Sequence, residues 1–218
     1  MHGNHNHTHQ LEAPITDGKT IRWARHYDLW VKLMTMGGER KLRNQTIQLA
    51  AIPQGATVLD VGCGTGTLTL LAKTQAGNQG KVYGIDAAPE MITVAKEKAI
   101  QQKRDINYQT GVIESLPFPD GTFDVVLSSL MFHHLTPELK QRGLKEIYRV
   151  LKPGGRVFIV DMIRPKGWHG LAIITMIHRD MATDVREIIP QMEKIGYVST
   201  QSGNTVWRSL GYVQGTRR

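Results

Sequence analysis

Three glycines and two aspartates carry the most telling chemistry of this sequence. In "VLDVGCGTG", Val58 to Gly66, a short apolar run leads into Asp60, and glycines follow at Gly62, Gly64 and Gly66. Glycine weakens regular structure by about 1 kcal/mol per residue relative to alanine. Three of them in so short a stretch imply a ligand that must come close to the backbone. A second acid, Asp86, lies roughly 20 residues past the loop, where a carboxylate can accept hydrogen bonds from both ribose hydroxyls. Phosphate ligands fit this pattern poorly. A dinucleotide fingerprint needs G-x-G-x-x-G, whereas Thr67 stands in the third glycine's place, and no Gly-Lys-Ser/Thr of a P-loop follows. Asp60 would repel a pyrophosphate and attract an ammonium group. The set points to a cationic nucleoside, although Asp86 taken alone reads as a helix cap.

A second group sits further along, in "MFHHL". His133 and His134 are candidates for a general base, because imidazole titrates near neutral pH. A packing or capping role for both is the competing reading, and the same two readings apply to Asp161.

The elements that must hold these residues follow from pattern and punctuation. Pro53 and Gly55 precede a strand over Thr57–Val61, and "TLTLLAKTQA" is helical up to Gly77. "GKVYGID" reads as a second strand, "APEMITVAKEKAIQQK" as a helix opened by Pro89, and "INYQTG" as a third strand. "FDVVLSSL" has the unbroken apolar character of a parallel strand buried on both faces. "TPELKQRGLKEIYRVL" has Thr136 as N-cap and Lys152-Pro153-Gly154 to stop it, and "GRVFIVD" is a fifth strand. Strand and helix therefore alternate from Thr57 to Asp161, which calls for an α/β doubly wound parallel sheet. "VREIIPQMEKIGYVST" and "TVWRSLGYVQGTR" add a helix and two strands near enough to pair antiparallel. Ligands of such sheets bind beyond the carboxyl ends of the strands, where the glycine loop lies.

The stretches "VLDVGCGTG", "VYGIDAAPEMI", "GVIESLPFPDGTFDVVLSSLMFHHL" and "EIYRVLKPGGRVFIVD" resemble, in order and spacing, the successive motifs of class I S-adenosylmethionine-dependent methyltransferases. The resemblance runs from about Val58 to Asp161. It implies a Rossmann-like, mostly parallel seven-stranded sheet with helices on both faces and an antiparallel C-terminal strand. It also implies S-adenosyl-L-methionine as cofactor. Asp60, Gly62, Gly64 and Gly66 would then hold the methionine end and Asp86 the ribose, with Ala87 beside it. Met91 would pack near the adenine, Ile113 would offer its backbone N–H, and Ser128 and Ser129 would line the cofactor at the end of the fourth strand. The family commonly has an acid or Asn where this chain has Val112, so Glu114 is a second candidate for the adenine amine.

The acceptor is less legible. No Asp/Asn-Pro-Pro-aromatic motif of nucleic-acid amino-methyltransferases follows the fourth strand, and the single cysteine, Cys63, lies in the cofactor loop. That excludes a cytosine-type cysteine nucleophile, a disulfide within the chain and a multi-cysteine metal site. The chain is similar to the quinone C-methyltransferases, whose N-terminal pattern is matched by Tyr27, Asp28, Gly38, Arg40 and Arg43, and Tyr27 joins the cofactor set on that ground. "MFHHL" departs from that subfamily. The implied activity is methylation of a small apolar acceptor such as a quinone, lipid or aromatic metabolite.

Composition bounds the rest. The chain has 218 residues, 40% hydrophobic and 21% charged, and suits one domain. No apolar run reaches the roughly 18 residues of a membrane span, no secretory leader is expected, and the reading is a cytoplasmic protein. The net charge of +8 is a solvated surface in the simplest account. It leaves an RNA-directed methyltransferase as a rival, against which the lack of a dense basic run argues. Val112 keeps a non-catalytic, cofactor-binding regulator as the other. Residues 1–18, "MHGNHNHTHQ" onward, read as a disordered His-rich tail with no metal role, and 19–218 as one methyltransferase domain. Within it, 19–52 reads as a helical cap, and 164–184, with Trp168, Leu171, Ile173, Ile174, Met176 and Ile177, as an apolar cover for the acceptor or a membrane-facing patch.

Overall fold

The computed structural model describes residues 38–164 and 184–218. The expected tail, Tyr27, and all of the apolar cover except its ends Arg164 and Asp184 lie outside the described residues. Seven strands form a single sheet: β1 Thr57–Val61, β2 Lys81–Asp86, β3 Asn107–Thr110, β4 Phe123–Ser129, β5 Leu151–Met162, β6 Tyr197–Asn204 and β7 Leu210–Arg217. Their order is β3-β2-β1-β4-β5-β7-β6, and β7 runs antiparallel to both of its neighbours. Among the described residues five α-helices pack on it: α1 Glu39–Ala50, α2 Thr67–Ala76, α3 Pro89–Gln101, α4 Pro137–Val150 and α5 Ile189–Ile195. Among the described residues no helix is long and apolar enough to cross a membrane.

Side chains of a strand alternate between faces, and here both faces are buried. Val125, Leu127, Phe158 and Val160 meet Leu42, Ile47 and Ala50 of α1 and Leu68, Ala72 and Ala76 of α2. Val126, Val157 and Ile159 point the other way, against Leu144, Ile147 and Val150 of α4 and Met192 of α5. This is why "FDVVLSSL" has no polar alternation.

The helix starts are set locally. The Thr136 hydroxyl accepts the Leu139 N–H at 3.3 Å and Pro137 follows, so α4 begins where the cap places it. Its end differs from the sequence expectation. The helix stops at Val150, ahead of Lys152-Pro153-Gly154, because Leu151 already pairs with Phe123 of β4. Lys152 then bonds Asp124 at 2.8 Å, while the other Asp124 oxygen accepts the Thr57 N–H at 2.8 Å. One carboxylate thereby ties the entries of β1, β4 and β5.

At Gly66 the backbone is left-handed, with φ of 78°, as it turns from the loop into α2. A Cβ there would lie 2.5 Å from the Tyr108 hydroxyl and 2.9 Å from the Ala95 Cβ. Gly154 shares the φ of 78° but would meet nothing within 4 Å. Gly66→Ala is therefore expected to destabilise the protein by about 2–4 kcal/mol, conformational strain plus overpacking. Gly154→Ala should cost only the strain, about 1–2 kcal/mol. Urea unfolding of the two variants checks the difference, and equal losses would mean that Tyr108 and Ala95 yield freely.

Candidate functional site

Strand order reverses between β1 and β4, and a cleft opens beyond their carboxyl ends. About 1020 Å³ of non-atom space lies in and over it, the open solvent at its mouth included. Its floor is the loop Val61–Thr65. Its walls are Asp86 and Ala87 after β2, Gly111–Glu114 after β3, Met91 of α3, and Ser129–Met131 with His134 and Leu135 after β4. A ligand entering it meets the glycine loop edge-on.

The loop is strapped to β2. The Ile85 carbonyl accepts the N–H groups of Gly62 and Cys63 at 2.8 and 3.0 Å. One Asp86 oxygen accepts the Gly64 N–H at 2.8 Å, and the other accepts the Ala88 N–H at 2.9 Å at the start of α3. Asp86 is not the N-cap of α3, a place taken by Ala88 with no side-chain cap bond; it closes a local turn onto the Ala88 N–H and borders the cleft with lone pairs left over, since a carboxylate offers about four. Burial pushes its pKa up, and the two amide bonds pull it back. Gly64 faces open space, with nothing within 4 Å of where its Cβ would be, whereas a Cβ on Gly62 would meet Met131 Cγ at 2.4 Å.

Asp60 is the deepest charge, 1% exposed. The Thr69 hydroxyl donates to it at 2.6 Å. Burial nevertheless lifts its pKa to about 6; the Thr69 bond and the Arg43 guanidinium oppose that rise, and Asp86 adds to it. Arg43, on α1, borders the same end of the cleft, and its Nε donates to Glu39 at 2.6 Å. An acid and a guanidinium side by side suit the ammonium and carboxylate of an α-amino acid. Arg43 belongs to the N-terminal pattern of the sequence, which gives it no cofactor role; its place at the cleft is visible only in the structure.

Past Asp86 the cleft becomes apolar, with Met91, Val112 and Ile113 forming a shelf. The loop that follows the shelf is anchored to α4. Arg149 donates to the carbonyls of Leu116 and Phe118 at 2.9 and 2.8 Å and to Asp120 at 2.7 Å, while Glu146 accepts the Leu116 N–H at 2.8 Å. Neither Arg149 nor Glu146 could be singled out on a helix that is charged along its length. Glu114 also borders the cleft.

Three expected residues stand behind the walls. Gly66 packs on Tyr108, as described above. Ser128 is 0% exposed, and its hydroxyl donates to the Val61 carbonyl at 2.9 Å. His133 turns from the cleft to Asp161, its Nδ1 2.8 Å from Oδ1, and leaves His134 as the imidazole at the cleft wall. Among the described residues no group of three or more His, Cys, Asp or Glu is arranged to hold a metal ion.

Residues 58–155 match a family model described as a methyltransferase domain. The chain is 36% identical over 144 residues to a ubiquinone/menaquinone biosynthesis C-methyltransferase of Escherichia fergusonii, covering 65% of this chain and 57% of that one. It is 35% identical over 149 residues to a demethylmenaquinone methyltransferase of Thermus thermophilus, covering 68% of this chain and 66% of that one. The chain thus spans less than two thirds of either relative. In structure it is similar to an S-adenosylmethionine-dependent methyltransferase of Aquifex aeolicus, with a TM-score of 0.69 and 22% identity over 87% of this chain and 98% of that one. At that identity the likeness shows a shared fold.

The buried acid generates a prediction about stability. The pKa of Asp60 is about 6 in the folded chain, against 3.8 for the ordinary carboxyl. The unfolded state therefore loses this proton first as pH rises, and folding stability falls across that window. Asp60→Asn keeps the acceptor for Thr69 and removes the charge. It should match wild type below pH 4 and be more stable at pH 7.5, by about 1–3 kcal/mol. Chemical unfolding at the two pH values decides it; a variant less stable at pH 7.5 would mean that Asp60 is paired in the free protein.

Proposed function

We infer that this chain, which carries a domain of the methyltransferase family over residues 58–155, transfers a methyl group from S-adenosylmethionine to a small apolar acceptor, best a reduced quinone. The observation that carries the reading is the order of groups along one cleft. Crossing the sheet from β1 through β2 to β3, the lining runs from the buried Asp60 and Arg43 to Asp86 and then to the shelf of Met91 and Ile113, which follows the order of amino acid, ribose and adenine in the cofactor. When bound, the cofactor supplies a sulfonium methyl group and departs as the thioether. Asp60 would pair with its ammonium, Arg43 with its carboxylate and Asp86 with the ribose hydroxyls.

Transfer from a sulfonium gains most from holding acceptor and methyl in line. His134, Leu130, Met131 and Leu135 form the wall left for the acceptor. With a hydroquinone, His134 would take the hydroxyl proton, and a ring carbon would form the new bond to the methyl. That carbon then loses its own proton to water, and the ring regains its aromaticity. The quinone assignment draws on the names of the relatives, which describe those proteins. The reading places the protein in the cytoplasm, with contact to a membrane surface where the acceptor is a lipid-like quinone.

The direct test supplies cofactor and a short-chain demethylmenaquinone reduced with dithionite, and measures S-adenosylhomocysteine and methylated quinone by mass spectrometry. Tight cofactor binding with no turnover on quinols, lipids or aromatic metabolites would favour a non-catalytic binding protein. Two binding predictions accompany it. Arg43→Ala should weaken S-adenosylmethionine about 10–100-fold, the scale of a charge-assisted hydrogen bond. Its affinity for 5′-methylthioadenosine, which lacks the amino-acid end, should not change. Because the ammonium needs an ionised Asp60, cofactor affinity should also fall below pH 6, approaching tenfold per unit, and calorimetry across pH 5–8 checks the slope.

A further inference from the structure

The wall that presents His134 is built on a strained residue. Leu130 leaves β4 with φ of 56°, a left-handed conformation unusual for a branched side chain. Its N–H still donates to Val160 on β5 at 2.9 Å, and a short 3-10 turn, Phe132–His134, follows. Such strain costs about 1–3 kcal/mol and persists only where neighbours over-determine it. Here the neighbour is Asp161, the residue after Val160. Its Oδ1 lies 2.8 Å from His133 Nδ1, and its Oδ2 accepts the His133 backbone N–H at 3.3 Å. Oδ1 also accepts the Met162 N–H at 2.7 Å. The two side chains are almost closed to solvent, 8% and 3% exposed. The His133 ring then lies against His134, with centroids 3.9 Å apart and planes inclined at 45°.

We propose that His133 and Asp161 are a positioning pair that holds the Leu130–Leu135 turn in its strained form and so fixes the imidazole of His134 against the cleft. A carboxylate accepts and does not donate, so Nδ1 of His133 carries the hydrogen and the ring cannot rotate without losing that bond. Gripping both the ring and the backbone N–H of one residue leaves the turn no freedom about His133. The tilted ring contact passes that constraint to His134, while Met131, on the other arm of the turn, closes over Gly62. A buried carboxylate is costly for stability, and an apolar pair of similar shape would pack at least as well. A role in placing His134 accounts for its presence. The inference rests on the reading of His134 as the acceptor's base, and on nothing about the cofactor.

The test compares Asp161→Asn, His134→Gln and the double variant. With the reduced demethylmenaquinone as acceptor, Asp161→Asn should lower kcat at least tenfold while the S-adenosylmethionine Kd stays within twofold. Adding His134→Gln to Asp161→Asn should then cost less than threefold more, because the base has already been displaced. Losses that multiply, or a cofactor affinity that falls with kcat, would overturn the pairing. If Asp161→Asn does not fold, His133→Asn takes its place in the cycle with the same expectations. A second measurement needs no acceptor. Amide exchange over residues 130–135 should speed up at least tenfold in Asp161→Asn, and the His134 ring resonances should shift, while amides of β1 and β2 keep their protection. Unchanged exchange and unchanged His134 resonances would sink the inference whatever the enzyme's activity. Failure of the wild type on every acceptor would sink the functional reading alone.

Discussion

The Asp86 carboxylate is the interaction on which the rest depends. It stands at the end of β2 and accepts the Gly64 N–H on one oxygen and the Ala88 N–H on the other. The loop between β1 and α2 and the first turn of α3 are therefore spaced by the width of one carboxylate. Glycine at 64 is what allows that approach without filling the cleft, since no protein atom lies within 4 Å of its missing Cβ. The parallel register behind it, Val61 opposite Ile85, brings the loop into reach of β2. Sheet, loop and helix thus converge on a carboxylate that also lines the cleft.

A second constraint follows from the first. Asp60 and Asp86 are like charges at one site, and the deeper one is held at a pKa of about 6 by burial. A fold selected for stability alone would not keep both. Thr69 and Arg43 lower the cost of Asp60 without removing it. The arrangement makes sense as electrostatic preparation for a cation, with the cost met when the cation binds. A water-excluded carboxylate is worth far more to an ammonium than an exposed one, because the local dielectric is low.

Much of the scaffold was legible in the sequence because its signals are local. β1 was read as Thr57–Val61 from Pro53, Gly55 and the apolar run, and α4 from Thr136 and Pro137. The side chains that share the cleft were harder to read, for reasons that are tertiary. His133 and His134 are neighbours with the same chemistry, and only Asp161, 28 residues on from His133, decides which of them turns inward. Ser128 and Ser129 differ only by the alternation of a strand, and knowing which face is the cleft requires the register of β4 on β1. Gly66 looks like Gly64 in a motif, yet the Tyr108 hydroxyl has taken the space its side chain would need. Arg43 comes from a helix outside the alternating core of the fold, and the N-terminal pattern that contains it does not say which of its side chains reaches the cleft.

The apolar end of the cleft shows how a flat base can be accommodated without a side-chain acceptor at 112. Val112 supplies no side-chain acceptor, and its carbonyl accepts the Ser115 N–H at 3.3 Å. One net hydrogen bond is worth about 0.5–1.5 kcal/mol. A flat base that buries on the order of 100 Å² of apolar surface gains about 2.5 kcal/mol, and Met91 and Ile113 offer that surface whichever residue occupies 112. A carboxylate at 112 would have to recover its own desolvation before it contributed anything. The anchoring of the following loop by Arg149 and Glu146 matters more here, because a shelf that is already ordered does not lose entropy when the base arrives. Apolar contact and preorganisation can therefore hold a base without a side-chain acceptor at 112, and Val112 is compatible with the proposed cofactor site.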